Sequence, residues 1–598
     1  MRLGLFLFAA FPLLCSSRGN AQGLRSISSL KVVKVPTPSN LDRYVRDNAA
    51  LVVLGKTFFW DVQASSDGRV ACGTCHFHAG ADHRVQNQLA SPPGVTTPIT
   101  PDQILTLDMF PFRKLADVKD RQSAVMSEVR QTVGSAGQFH RTFVGLVSGS
   151  ASEDAVEISG EPHVTLGGLS TRQVTARNAP SIINAAFNAR NFWDGRASQY
   201  FTGATPFGDS DTRRNLAVLS DDGLHTESVR LDNSSLASLA VGPPVNSTEM
   251  SYEGRTWPII GRKLLGLPPL ARQRVASDDG VLGAIANPDG PGLLPDASYA
   301  SLIQAAFYPQ YWSSQDLLDA SGNPADPGHP GFSQMEFNFS FFWGVAVQAY
   351  GATLIANDAR TDQFVEGHPD ALTPQERQGM DIFARSVCVI CHFGPELTIA
   401  SARVTPKVVI HPNNAGFFRT GVSPILEDTG MGFTDPFGNP LFTPLTEANG
   451  MFKTPGFRNI ELTGPYFHNG SQATLEQVVE FYNRHGDIPE GGVDDTLVGI
   501  RLSDDDKAAV VAFMKALTDD HVRYERAPFD HPELCVPMGH VEQTADSQFQ
   551  QSALDKWVLV PAVGAAGNAA PLQTFQELLL GVGNDGSRAH AMTQSCVP

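Results

Sequence analysis

Apolar positions along this chain gather into helical stripes, and the strict alternation that marks half-buried strands is sparse and short. Thr373-Pro374-Gln375-Glu376 joins a hydroxyl cap, proline at the first helical position and a glutamate three residues on, so it launches a helix carrying Ile382, Phe383 and Val387. Thr474-Leu475-Glu476-Gln477 predicts another, running to Gly486. Tyr482 follows Val478 and Val479 by four and three residues on that helix, shares their face and points inwards. A third helix begins over Ser503 to Asp506, and its Val510, Val511, Met514 and Leu517 form an apolar stripe. The uncharged run from Phe339 to Ala356 is broken by Ser340, Gly344, Gln348, Gly351 and Thr353. It predicts a buried core helix in preference to a membrane span.

Between these stripes lie segments dense in Gly, Pro, Asn and Asp, notably Asn287 to Pro295, Ser321 to Phe332 and His411 to Pro444, which read as long loops. The expected fold is mainly α, with long loop insertions and no large sheet. At the N-terminus, Arg2, the apolar run Leu3 to Leu14 and Gly19-Asn20-Ala21 fit a signal peptide over residues 1–21, and so a periplasmic or secreted protein. Cys15 offers a lipoprotein reading, but Leu14 stands where a small residue belongs, which ranks simple cleavage above lipidation.

With 598 residues, 42% of them hydrophobic, the chain can fill several cores. A formal charge of -18 without a basic stripe argues against nucleic acid and for a small oxidant or a basic redox partner. Four of the seven cysteines change the picture most. Cys72-Gly73-Thr74-Cys75-His76 and Cys388-Val389-Ile390-Cys391-His392 are both C-x-x-C-H, the pattern in which two thiols bind a haem covalently and the adjacent imidazole takes one face of the iron. A zinc ribbon would bring its second cysteine pair about 15 to 20 residues after the first. These pairs lie at opposite ends of the chain, so two haem c groups are expected. Cys535 and Cys596, each in Cys-Val-Pro, remain for a disulfide that ties down the tail, in keeping with export.

A family resemblance is carried by three further segments: Asn178 to Ala197, with Phe192-Trp193-Asp194-Gly195-Arg196; Phe452-Lys453-Thr454-Pro455-Gly456-Phe457-Arg458-Asn459; and Thr463-Gly464-Pro465-Tyr466-Phe467-His468-Asn469-Gly470. With the two haem motifs they resemble the bacterial di-haem cytochrome c peroxidases, in the branch that includes MauG, roughly from Leu54 to Leu517. The resemblance implies two cytochrome c-like haem domains: a peroxidatic one over 22–355, an electron-transfer one over 356–525, and a C-terminal extension over 526–598. It implies that Trp193 relays electrons between the haems and that Glu249 is the distal acid and base, its pKa raised in a dry pocket. It implies an interdomain calcium at Asn178, Thr463 and Pro465, whose oxygens suit that ion. Tyr482 falls at the sixth ligand position of the second iron, with Met451, His485 and His590 as alternatives.

Two positions depart from the family pattern. Leu239 stands where glutamine is usual, and the loop after the first motif offers no match to the distal histidine, since His78 and His83 sit too close and read as possible surface residues. The expected function is an exported peroxidase that reduces hydrogen peroxide with electrons from a small cytochrome c or cupredoxin. Three alternatives stand beside it: a dioxygenase similar to the rubber oxygenases, which share the Phe-Trp pair and for which Leu239 and Phe207 would give an apolar pocket; MauG-like oxidation of a partner protein; and a non-catalytic electron carrier.

Overall fold

The helix Asn48–Trp60 crosses the helix Phe339–Gly351 at Gly55, where any side chain would run into the Ala346 carbonyl oxygen. Only glycine permits so close an approach. The same device recurs where Pro374–Arg385 crosses Asp504–Lys515, with Gly379 against the Ala509 carbonyl. One member of each crossed pair precedes a C-x-x-C-H motif: Asn48–Trp60 comes before Cys72–His76, with the short turn Val62–Ala64 between them, and Pro374–Arg385 comes just before Cys388–Cys391.

This computed structural model describes residues 27–158, 164–213, 215–326, 328, 330–404, 416–442, 448–488, 493, 500–541, 552–581 and 596. The signal peptide reading over 1–21, Cys15, His590 and part of the loop read from His411 to Pro444 lie outside them.

The first core is drawn mostly from residues between Tyr44 and Leu354, with Leu534 and Val536 added from far along the chain. Phe58, Phe339, Phe341, Phe342 and Trp343 are fully buried in it, and Phe58 stacks on Trp343 at 4.6 Å. Burial of each large apolar side chain stabilises by about 1.5–3 kcal/mol. All but one residue of Phe339–Gly351 is buried, as the uncharged run predicts, and among the described residues no helix is long and apolar enough to cross a membrane. A second core gathers Phe383, Val478, Val479, Val510, Val511, Phe513, Met514 and Leu517, the stripes of the three capped helices. Their reciprocal caps form at Thr373, Thr474 and Ser503. The middle helix stops at Asn483, short of Gly486, because His485 already turns left-handed at φ 67°.

Helices hold 29% of the residues, which tempers the mainly α expectation. With 54 glycines and 41 prolines, much of the chain runs as turns and loops. Sheets stay small, as expected: each one among the described residues pairs two antiparallel strands. The hairpin of Leu534–His540 and Asp555–Val560 places Leu534 and Val536 in the first core, and Leu534 and Trp60 press on Gly73 of the first motif. Cys535 of that hairpin forms the predicted disulfide with Cys596, Cα atoms 5.7 Å apart.

Candidate haem sites

In the first motif the Thr74 hydroxyl accepts the Ala71 N–H at 2.9 Å and so closes the turn that presents Cys72 and Cys75 on one side. The His76 Nδ1 meets the Gly80 carbonyl oxygen at 2.8 Å. In the second motif the His392 Nδ1 meets the Leu397 carbonyl oxygen at 3.2 Å. A ring whose Nδ1–H is held by a carbonyl is fixed as the tautomer with a free Nε2 lone pair, which is how metal-binding imidazoles are oriented. Burial pushes His76 below its usual range and His392 down to about 4, so both rings stay neutral. None of the four motif cysteines is in a disulfide.

Glu249 belongs to the first motif's surroundings. Burial raises its pKa, opposed by the Arg196 guanidinium. Burial chiefly, and the Glu249 carboxylate in part, push the Cys72 and Cys75 thiols up to about 12. Arg196 lies 3.8 Å from the Phe192 ring and pairs with Asp194 at 2.7 Å. Arg177 then bridges Asp194 at 2.6 Å to Asp428 at 2.7 Å, joining the Phe192–Arg196 turn to a segment late in the chain. Although burial opposes ionisation, Arg196 and Arg177 hold the Asp194 carboxyl down at about 2.

A wide cavity opens beside the second motif. Cys388, Cys391 and His392 line it together with Trp193, Tyr482, Asn178, Thr463 and Pro465. The sequence scatters these residues over 300 positions, and the fold brings them to one wall-enclosed space. The rest of the lining is mostly apolar, including Phe383, Phe457, Val478, Val479 and Met514, with the Phe457 ring stacked on His392 at 3.8 Å. A flat apolar macrocycle fits such walls, and the sulfurs and imidazole to hold it stand among them. Tyr482 is half-buried, and burial, with the Cys391 and Cys388 sulfurs nearby, raises its phenol well above the usual range. Met451 packs instead with Phe417, Met431 and Phe442, away from the cavity, and His485 does not line it.

Three cavity residues carry no role from the sequence. Phe452 and His468 stack at 3.6 Å, and His468 meets the Trp193 ring edge to face at 6.4 Å. Lys453 donates its backbone N–H to the Trp193 carbonyl oxygen at 2.8 Å. Their segments are the ones that carry the family resemblance, which was the available signal. His78 and His83 correct the surface reading: both are buried and stack at 3.7 Å, because Gln573 and Phe575 from the far end of the chain cover them.

A sequence profile for di-haem cytochrome c peroxidases matches residues 49–370, a span that holds the first motif, Trp193 and Glu249 and ends before Cys388. Cytochrome-c peroxidase IdrP2 of Denitromonas iodatirespirans is 31% identical over 195 residues, 32% of this chain and 52% of that one. Methylamine utilization protein MauG of Paracoccus denitrificans is 28% identical over 205 residues, 30% of this chain and 51% of that one. The chain thus spans about half the length of these relatives. A solved MauG-like protein associated with microbial copper homeostasis covers 84% of this chain and 97% of its own at 18% identity, with a TM-score of 0.42. Because the profile takes in more than half of the chain, including the turn in which Cys72, Cys75 and His76 stand ready for a haem, the chain belongs to the di-haem cytochrome c peroxidase family.

Proposed function

We propose that this protein is an exported di-haem c oxidoreductase that reduces hydrogen peroxide to water, drawing two electrons per peroxide from a small cytochrome c or cupredoxin. The observation that carries this reading is the unlike chemistry beside two like motifs: a carboxyl group with a raised pKa near the first, a phenol facing the cavity of the second. When bound, the haems supply the reducible iron and the power to break the O–O bond.

The residues supply the rest. His76 and His392 would each turn Nε2 to an iron, with Nδ1 held by the Gly80 and Leu397 carbonyls. Glu249 keeps its proton to higher pH than an ordinary glutamate, so its carboxyl oxygen can give a proton to peroxide and accept one back. Tyr482 lines the second cavity and could offer its phenolic oxygen to a haem held there, which would close that site to substrate and favour a low potential. Trp193 carries charge between the two sites, and Asn178, Thr463 and Pro465 offer oxygens to a calcium ion.

Steady-state oxidation of a reduced small cytochrome by hydrogen peroxide, with both haems loaded, tests the proposal; turnover at background would refute it. A second reading, dioxygen chemistry on an isoprenoid polymer, is favoured by Leu239, a half-buried apolar side chain at the position where the family usually carries glutamine. Oxygen uptake on the polymer without added reductant would support that reading instead.

A further inference from the structure

Among the described residues, buried lysines have partners, with one exception. Lys56 is held by Asp279 at 2.8 Å and Asp530 at 3.2 Å, and Lys263 by the Ser65 carbonyl at 2.6 Å and Glu153 at 2.9 Å. Lys453 is 5% exposed, yet its side chain meets no carboxylate or carbonyl among the described residues. Burial alone drives its pKa down to about 8, with no opposing charge nearby. A buried ammonium without a counter-charge is strongly disfavoured.

The backbone aims Lys453 at the cavity. It pairs with Phe417 in a short strand, donates its N–H to Trp193, and lines the same space as Cys388, Cys391 and His392. The other charged groups of that lining are already satisfied: Arg458 forks onto Asp362 at 2.6 and 2.8 Å, and Glu396 onto Arg403 at 2.8 and 2.7 Å. Lys453 is therefore the one unopposed cation among the described residues of this wall.

We propose that the Lys453 ammonium is the counter-ion of a carboxylate carried into the cavity by its occupant, a propionate of the haem held at Cys388 and Cys391, and that this pair sits beside Trp193 where it sets the potential of that haem. The inference rests on the haem reading above. A haem brings its own carboxylates into a space where, among the described residues, Lys453 is the one lysine or arginine not already paired with a carboxylate, and the lysine answers one of them. Without its positive charge the reduced, more electron-rich haem is disfavoured.

Spectroelectrochemical titration of the holoprotein tests this, with haem counted by pyridine haemochrome. In Lys453→Met the midpoint potential of the haem on His392 falls while that of the haem on His76 holds, and Lys453→Arg restores the wild-type value. A Lys453→Met protein with two haems and an unchanged potential overturns the assignment and leaves the haem reading intact. Should Lys453→Met fail to load haem, Lys453→Gln carries the same two outcomes. A wild-type potential that changes with added acetate and saturates identifies a free anion as the occupant and overturns the propionate. A wild type with fewer than two haems overturns this proposal and the haem reading together.

Discussion

The indole N–H of Trp193 donates to the Asn178 carbonyl oxygen at 2.9 Å. The tryptophan is thereby fastened to the segment that also offers Asn178 to the cavity, and its own carbonyl takes the Lys453 N–H from the other side. The indole hydrogen bond anchors the ring, and the proposed relay role is tested by replacing it. Trp193→Phe keeps the ring packing and loses both the N–H and the easily oxidised indole. Peroxide turnover with a reduced cytochrome is expected to fall about tenfold or more with both haems still bound, read by stopped-flow absorbance. Equal rates would remove Trp193 from the electron path.

Glu249→Gln removes a proton carrier and keeps the shape. Turnover is expected to drop by about 10²–10⁴, the usual reach of general acid–base catalysis, with haem content unchanged. A glutamine variant as fast as the wild type would show that the carboxyl group is a bystander.

Tyr482→Met exchanges a phenol for a thioether, and methionine ligation raises haem potential. The haem on His392 is expected to titrate at higher potential in the variant, with a changed absorption spectrum. An identical spectrum and potential would show that the phenol does not reach the iron.

Asp194 connects pH to stability. Its carboxyl sits at about 2 in the folded protein, held down by Arg196 and Arg177, and returns to about 3.9 on unfolding. The unfolded chain therefore binds the proton more tightly, and the group contributes about 2 kcal/mol above pH 4 that is lost as pH falls from about 4 towards 2. Denaturant titrations from pH 6 to 3 are expected to show this acid loss in the wild type and a smaller one in Asp194→Asn.

Much of this was legible in the chain because it is local. A C-x-x-C-H turn needs five residues, and each capping box needs four, so the motifs and the helices beginning at Pro374, Leu475 and Asp504 stand where the residues predict. Facing of Tyr482 towards the cavity also follows from helical spacing. What the sequence hid depends on distant partners. His78 and His83 are buried by Gln573 and Phe575, nearly 500 residues away, and the isolation of Lys453 is visible only when every neighbour is in place. The glycine crossings at Gly55 and Gly379 are of this kind too. Alanine at either position is expected to destabilise by about 1–3 kcal/mol through overpacking, measured by urea unfolding.

Two like motifs are expected to hold two unlike irons. Low-temperature electron paramagnetic resonance of the oxidised holoprotein tests this most directly. One high-spin ferric signal is expected from the His76 site and one low-spin signal from the His392 site, where Tyr482 would supply a further ligand. Two low-spin signals unmoved by cyanide would contradict that expectation.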